Sequence, residues 1–223
     1  MTGSITRMDE STSREKVLKM IRNASISKTE NPFADIDFTS PVYQEIRESL
    51  DIAFAQEFTR IAGKFVYCEN DQEFAAVLAE VMKQQGLDSI FCKESKLVRL
   101  LESGGVQVRS QEQDFLSSRA GLTSCEYLIA RLGSIMVSSA SASGRRMLVY
   151  PDIHMVHAYT GQLVPDLQDA LAGVKEKYDG HLPGLISVIS GPSRTADIEK
   201  TLVMGAHGPR ELYVFLVEKS GAA

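Results

Sequence analysis

Two apolar runs, Phe65-Val66-Tyr67-Cys68 and Ser89-Ile90-Phe91-Cys92, are each followed by a segment with helical spacing, Asp71 to Gln85 and Ser95 to Leu101. Short continuous apolar runs read as buried strands, and apolar residues three and four apart read as one face of a helix. Gly86 stops the first helix, and Gly104-Gly105 follows the second. A strand separated from the next by a helix cannot pair with it through a hairpin. It needs a crossover, and crossovers build parallel sheets with helices on both faces. The expected class is therefore α/β.

The middle of the chain breaks this rhythm. Tyr127-Leu128-Ile129-Ala130, Ser134-Ile135-Met136-Val137, Arg146-Met147-Leu148-Val149-Tyr150 and Ile153-His154-Met155-Val156 follow one another without room for helices. Some of these strands are expected to pair antiparallel, which makes the sheet mixed but mostly parallel. Pro165 to Tyr178 reads as a helix with proline at its entry. The last unit reads as strand Leu185 to Ile189, helix Ala196 to Met204 and strand Leu212 to Val217. Ahead of all this, Arg14 to Ala24 reads as a short helix followed by a polar loop, so an amino-terminal arm over residues 1–40 precedes a main domain over residues 41–223. Tyr43, Ile46, Leu50, Phe54, Phe58 and Ile61 predict a long amphipathic helix ended by Gly63.

At 223 residues, 43% of them hydrophobic, the chain has material for one substantial core. Its formal net charge of -5 disfavours nucleic acid and anionic membranes, which reward concentrated Lys and Arg. No stretch approaches the roughly 18 consecutive apolar residues of a membrane span, and the amino terminus is polar, so a soluble, cytoplasmic protein is expected. Cys68, Cys92 and Cys125 lie far apart without the spacing of zinc or cluster ligands. Buried free thiols are expected, with no metal site.

The densest chemistry lies in Gly191-Pro192-Ser193-Arg194-Thr195-Ala196-Asp197-Ile198-Glu199 and Gly205-Ala206-His207-Gly208-Pro209. It directly follows Leu185 to Ile189, which reads as a buried strand, so it is expected at the carboxyl ends of the strands, where open α/β sheets place small-molecule sites. Ser193 or Thr195 can cap the helix, with Asp197 and Glu199 in its first turn. Arg194 beside exposed backbone N–H groups can receive a carboxylate or phosphate, or be clamped internally by those two acids. His207 can act as acid or base, or satisfy helix-terminal carbonyls. His154 and His157, three apart on a strand, project to opposite faces and do not share a metal. The serine-rich loop Ser138 to Gly144, with Arg145 and Arg146, can offer hydroxyls and guanidiniums to a nucleotide or coenzyme A, or simply connect two strands.

The segments Pro151-Asp152-Ile153-His154, Ser190 to Glu199, and Gly205-Ala206-His207-Gly208-Pro209-Arg210 together resemble the lactate utilization protein C family, whose shared unit is the LUD domain. The resemblance covers residues 40–218 and implies a ribose-5-phosphate isomerase and CoA-transferase-like α/β fold. It further implies bacterial oxidation of lactate to pyruvate, in company with an iron–sulfur subunit and a second partner subunit. This chain is then the cluster-free component, and its sequence names no cofactor or electron acceptor. One departure stands out. Family members often read Ala-Glu-Thr-Gly-Thr where this chain has Ala130-Arg131-Leu132-Gly133-Ser134, a carboxylate replaced by a cation.

On this reading Ser193, Arg194, Thr195, Asp197, Glu199, Gly208, His154 and Arg146 surround a small anionic ligand, with Arg194 on its carboxylate and His207 as proton acceptor. Two alternatives stay open. One is a stand-alone enzyme or binding module for a phosphorylated sugar, nucleotide or CoA ester, suggested by the fold alone. The other is a non-catalytic assembly module in which the motif fastens the last helix to the sheet.

Overall fold

The computed structural model describes residues 12–26, 33, 35, 43–195, 203–205 and 207–219. The chain divides into two units, Met1–Gln44 and Glu45–Ala223. The first contains α1 (Ser13–Ile26), whose first turn is closed by the Thr12 backbone N–H donating to Glu15 Oε2 at 2.8 Å. Val17, Leu18 and Ile21 on this helix are exposed.

The second unit runs α2 (Leu50–Arg60), β1 (Lys64–Cys68), α3 (Asp71–Gln84), β2 (Ile90–Phe91), α4 (Ser95–Ser103), β3 (Val108–Arg109), β4 (Ala120–Ser124), β5 (Tyr127–Ile129) and β6 (Ser134–Ser138). It continues with β7 (Ile153–Tyr159), β8 (Leu163–Val164), α5 (Leu167–Lys177), β9 (Ile186–Ile189), β10 (Arg194–Thr195), β11 (Val203–Met204) and β12 (Glu211–Val217). Six strands form one sheet in the order β1-β12-β7-β4-β2-β3, and every neighbouring pair is parallel. A four-stranded sheet has the order β8-β5-β6-β9, with β6 antiparallel to both neighbours. The fold is α/β with a mostly parallel sheet.

A parallel sheet is covered on both faces, so its central strands carry unbroken apolar runs. Those of β7 and β12 are buried along almost their whole length. On one face Phe74 and Leu78 of α3 and Leu97 and Leu101 of α4 pack against Leu122, Met155 and Phe215. On the other, Phe54 and Phe58 of α2 join Leu128 and Ile135 of the smaller sheet against Val156, Val214 and Leu216. Among the described residues, no helix is long and apolar enough to cross a membrane. All three cysteines are buried and free, and burial pushes the Cys68 thiol up to about 11 and that of Cys92 to about 12.

β4 answers to no strand expected from sequence, and four other elements differ from the sequence expectation. The long helix from Tyr43 shrinks to α2, because Ser49 is extended (φ -62°, ψ 149°). Ile46 still packs on the same core from non-helical chain, so the apolar spacing outlasts the helix. Arg146 to Tyr150 is not a strand; Gly144 turns the chain with φ 71° into a 3₁₀ turn, Arg145–Leu148, that buries Met147. In the last unit β9 lies outside the parallel sheet, at the edge of the smaller one and antiparallel to β6. Residues 196–202 of the expected helix lie outside the described residues, but Val203 and Met204 form a strand paired with Thr195 and Arg194. The expected helix start is thus a short antiparallel ladder.

Two buried positions yield stability predictions. Gly133 has φ 55°, and a Cβ there would stand 2.3 Å from the Phe58 backbone nitrogen, so this glycine sets how closely the turn approaches α2. Gly133→Ala combines a strained backbone with overpacking and is expected to cost at least ~2 kcal/mol, read from urea unfolding. His154 is fully buried, with Nε2 2.9 Å from Thr123 Oγ1, and desolvation lowers its pKa from 6.5 to about 4. The unfolded chain binds this proton below 6.5 while the native state does not, so the contribution is complete above that pH and is lost as pH falls towards 4. Between pH 7 and pH 4.5 the wild type is expected to lose about 2 kcal/mol more than His154→Gln; equal losses in parallel urea titrations would refute this.

Candidate functional site

Because all six strands of the main sheet run the same way, Cys68, Phe91, Ser124 and Tyr159 end on a single edge. The loops leaving that edge are not tied into the ladder and can present side chains to a ligand. Acids stand just beyond three of the strands: Asp71 at the start of α3 after β1, Glu94 after β2 and Glu126 after β4. Each is held differently.

Glu94 gathers the serine-rich loop over the end of β4. Its Oε1 accepts from the Ser124 backbone N–H at 2.9 Å and from the Ser141 and Ser143 hydroxyls at 3.0 Å each. This loop is therefore a fixed roof and not a solvated connection. Glu126 is only 7% exposed and accepts from Lys177 Nζ at 2.6 Å, Tyr178 OH at 2.7 Å and Ser138 Oγ at 2.5 Å. Burial alone would raise its pKa, but these donors together outweigh burial and hold the carboxyl below its ordinary range. For Lys177, burial works downward, and the bond to Glu126 lifts the ammonium above its usual value. The Gln162 side chain donates to the Cys125 carbonyl at 2.6 Å and the Glu126 carbonyl at 3.2 Å, which locks the turn carrying the acid.

Ser124, Glu126, Ser138, Ser141, Lys177 and Tyr178 line a cavity of about 160 Å³. Pockets for drug-sized ligands run roughly 300–1,000 Å³, so this one suits a small polar molecule. Hydroxyls and an ammonium, oriented by an ionised carboxylate, can bind a small acid. On the opposite side of β7 from His154, His157 is buried between the rings of Phe74 and Tyr159, with Nε2 3.6 Å from Asp71 Oδ1. Tyr159 OH donates to Asp71 at 3.1 Å. Desolvation lowers the pKa of His157, and the Asp71 charge only partly offsets it. Among the described residues, no group of three His, Cys, Asp or Glu side chains is placed to hold a metal ion.

The residues singled out by sequence lie elsewhere. The Ser193 N–H donates to the Pro209 carbonyl at 2.8 Å, and the Arg210 N–H to the Asp152 carbonyl at 2.7 Å, just ahead of β12 and β7. Ser193, Gly208 and His207 are thus at the amino-terminal edge of the sheet, a correction to the expected carboxyl-end placement. The cause is topological: β9 belongs to the smaller sheet, and the chain beyond it returns to the start of β12. The Arg194 guanidinium donates to the Ile61 carbonyl at the end of α2, and His207 is exposed. Thr195 pairs with Val203, while Asp197 and Glu199 lie outside the described residues. His154 is sealed in the core, and Arg146 pairs with Glu112 at 2.8 Å. Arg131 makes an ion pair with Asp166 at 2.7 Å and lines a separate cavity beside α2.

Sequence reasoning missed Glu94, Glu126, Lys177 and Tyr178. For Glu94 the available signal was an acid two residues beyond the expected strand Ser89 to Cys92; Glu126 follows β4, a strand not expected from sequence. Nothing in the local pattern announces that the end of α5 reaches Glu126.

Comparison with known proteins accords with this architecture. The LUD domain model matches residues 53–217. Lactate utilization protein C of Anoxybacillus flavithermus is 26% identical over 176 residues, 78% of this chain and 71% of that protein. Its counterpart in Bacillus licheniformis is 31% identical over 118 residues, 52% of this chain and 48% of that protein. An uncharacterized protein of Neisseria meningitidis is 35% identical over 103 residues, 46% of this chain and 44% of its own length. In the last two, the matched part spans about half the length of the relative. The crystal structure of a DUF162 family protein from Deinococcus radiodurans superposes with a TM-score of 0.57 at 18% identity, over 75% of this chain and 96% of that one, and shares the fold. With well over half of its residues matched by the domain model, the chain belongs to the LUD domain family.

Proposed function

We propose that this chain is a cluster-free subunit of a lactate-utilization system oxidising lactate to pyruvate, and that the carboxyl-edge cavity receives the small 2-hydroxy or 2-oxo acid. Family membership supports the system, and the Lys177–Glu126 pair beneath the serine roof supports the cavity. Only one of the three ammonium donors of Lys177 is taken by Glu126, and its side chain is 52% exposed. The remaining donors and the Ser138, Ser141 and Tyr178 hydroxyls suit a ligand carboxylate and its neighbouring oxygen.

Oxidation of a 2-hydroxy acid removes a hydroxyl proton and two electrons with the α-hydrogen. Glu126, held ionised and donor-saturated, orients Lys177 and is a poor base. The chain's own side chains therefore bind and orient the acid, while the hydroxyl proton goes to solvent or a base of the partner and the α-hydrogen with its two electrons to an acceptor associated with the iron–sulfur partner. In this reading the carboxylate-holding role belongs to Lys177, while Arg194 ties the end of α2 to the β10–β11 ladder.

Isothermal titration with lactate and pyruvate tests the assignment. Lys177→Met is expected to weaken binding at least ~10-fold, the loss of one charged hydrogen bond, and Arg194→Ala to leave it unchanged. Affinity that survives Lys177→Met, or vanishes with Arg194→Ala in a folded protein, would refute the assignment.

A further inference from the structure

A second cavity opens on the other side of the serine roof. Ser141 lines the first cavity and Ser143 the second, and both hydroxyls donate to the same Glu94 oxygen. The second cavity, about 170 Å³, is lined by Phe91, Phe115, Lys93, Arg145, Arg146 and Glu112, among others. Three cations thus meet one lining carboxylate, in a protein whose net charge is -5. Glu94 lies behind the Ser143 wall with one oxygen already occupied by three donors.

Two of the three cations are held in place. Glu112 bonds Lys93 through one oxygen and Arg146 at 2.8 Å through the other, and the hydrogen bond from Lys93 is the main reason its carboxyl lies below the ordinary range. The Arg146 guanidinium also sits 4.4 Å above the Phe115 ring centroid. Arg145 has no hydrogen-bonded or ion-paired partner among the described residues. Paired guanidiniums beside an ammonium match a phosphate group, which carries up to two charges and accepts forked donors, better than a singly charged carboxylate. Next to them lies an aromatic shelf. The Tyr150 ring is 5.0 Å from that of Phe115 and the residue is 50% exposed, flanked by exposed Val149 and close in sequence to no acid but Asp152.

We infer that this cavity is a nucleotide-binding site, taking the phosphates between Lys93, Arg145 and Arg146 and stacking the base on Tyr150. The cavity's volume suffices for the phosphate end alone, and the base rests outside it on the shelf. This inference is independent of the acid-binding cavity, because it uses none of the same charged side chains.

Titration calorimetry of the full chain with ADP, inorganic phosphate and adenosine tests it at low and moderate salt. ADP is expected to bind at least tenfold more tightly than phosphate or adenosine. Arg145→Glu, at an exposed position with no partner to lose among the described residues, is expected to reduce ADP affinity at least tenfold at unchanged melting temperature, and Arg145→Lys, which keeps the charge, to reduce it less. Tyr150→Ala is expected to weaken ADP while leaving phosphate unaltered, and Lys177→Met to change neither. Absence of ADP binding, indifference to Arg145→Glu, or equal affinity for ADP and phosphate would overturn the inference.

Discussion

The architecture depends on burying one pair of parallel strands, β7 and β12, from both sides. Strands of this kind hydrogen-bond only to other strands and leave no face for water, so each face must be covered by apolar side chains from elsewhere. Alternation divides the work: Met155 and Phe215 meet α3 and α4, while Val156, Val214 and Leu216 meet α2 and the smaller sheet. Because parallel strands share one direction, the same requirement places the loops after β1, β2, β4 and β7 at a common edge. The site is a consequence of the core.

At that edge the polar groups are arranged around acids that are satisfied rather than reactive. Glu94 and Glu126 each accept three hydrogen bonds, in each case from two separate segments: β4 and the serine-rich loop for Glu94, β6 and the end of α5 for Glu126. A buried carboxylate without such donors carries a heavy desolvation penalty. With them it becomes a fixed negative post that orients Lys177 in one cavity and holds the serine roof between two. The edge thus separates an ammonium-and-hydroxyl cavity from one walled by guanidiniums.

Much of the fold was legible in local pattern. The four-residue runs at Phe65 and Ile90 and the helical spacing of Asp71 to Gln85 give strands and a helix because the periodicity of burial is a local property. Three segments misled for a common reason. Ile46 carries helical spacing but packs from non-helical chain, Arg146 to Tyr150 is apolar enough for a strand but forms a turn, and Leu185 to Ile189 is a strand that joins the smaller sheet. Short apolar stretches record that burial occurs without recording against which neighbour.

The site illustrates the same limit more sharply. The motif around Arg194 and His207 is specific enough to signal the family, and its chemistry invites a ligand, yet its position depends on which sheet β9 enters. Once β9 pairs with β6, the motif returns to the amino-terminal edge and Arg194 finds the Ile61 carbonyl. By itself the sequence determined the α/β class, the order of most elements and the family, because these rest on short-range periodicity and contiguous motifs. Only the tertiary structure decided which edge carries the cavities and that Glu126 meets Lys177, since residues 51 positions apart are brought together by sheet pairing and long-range packing that no local pattern encodes.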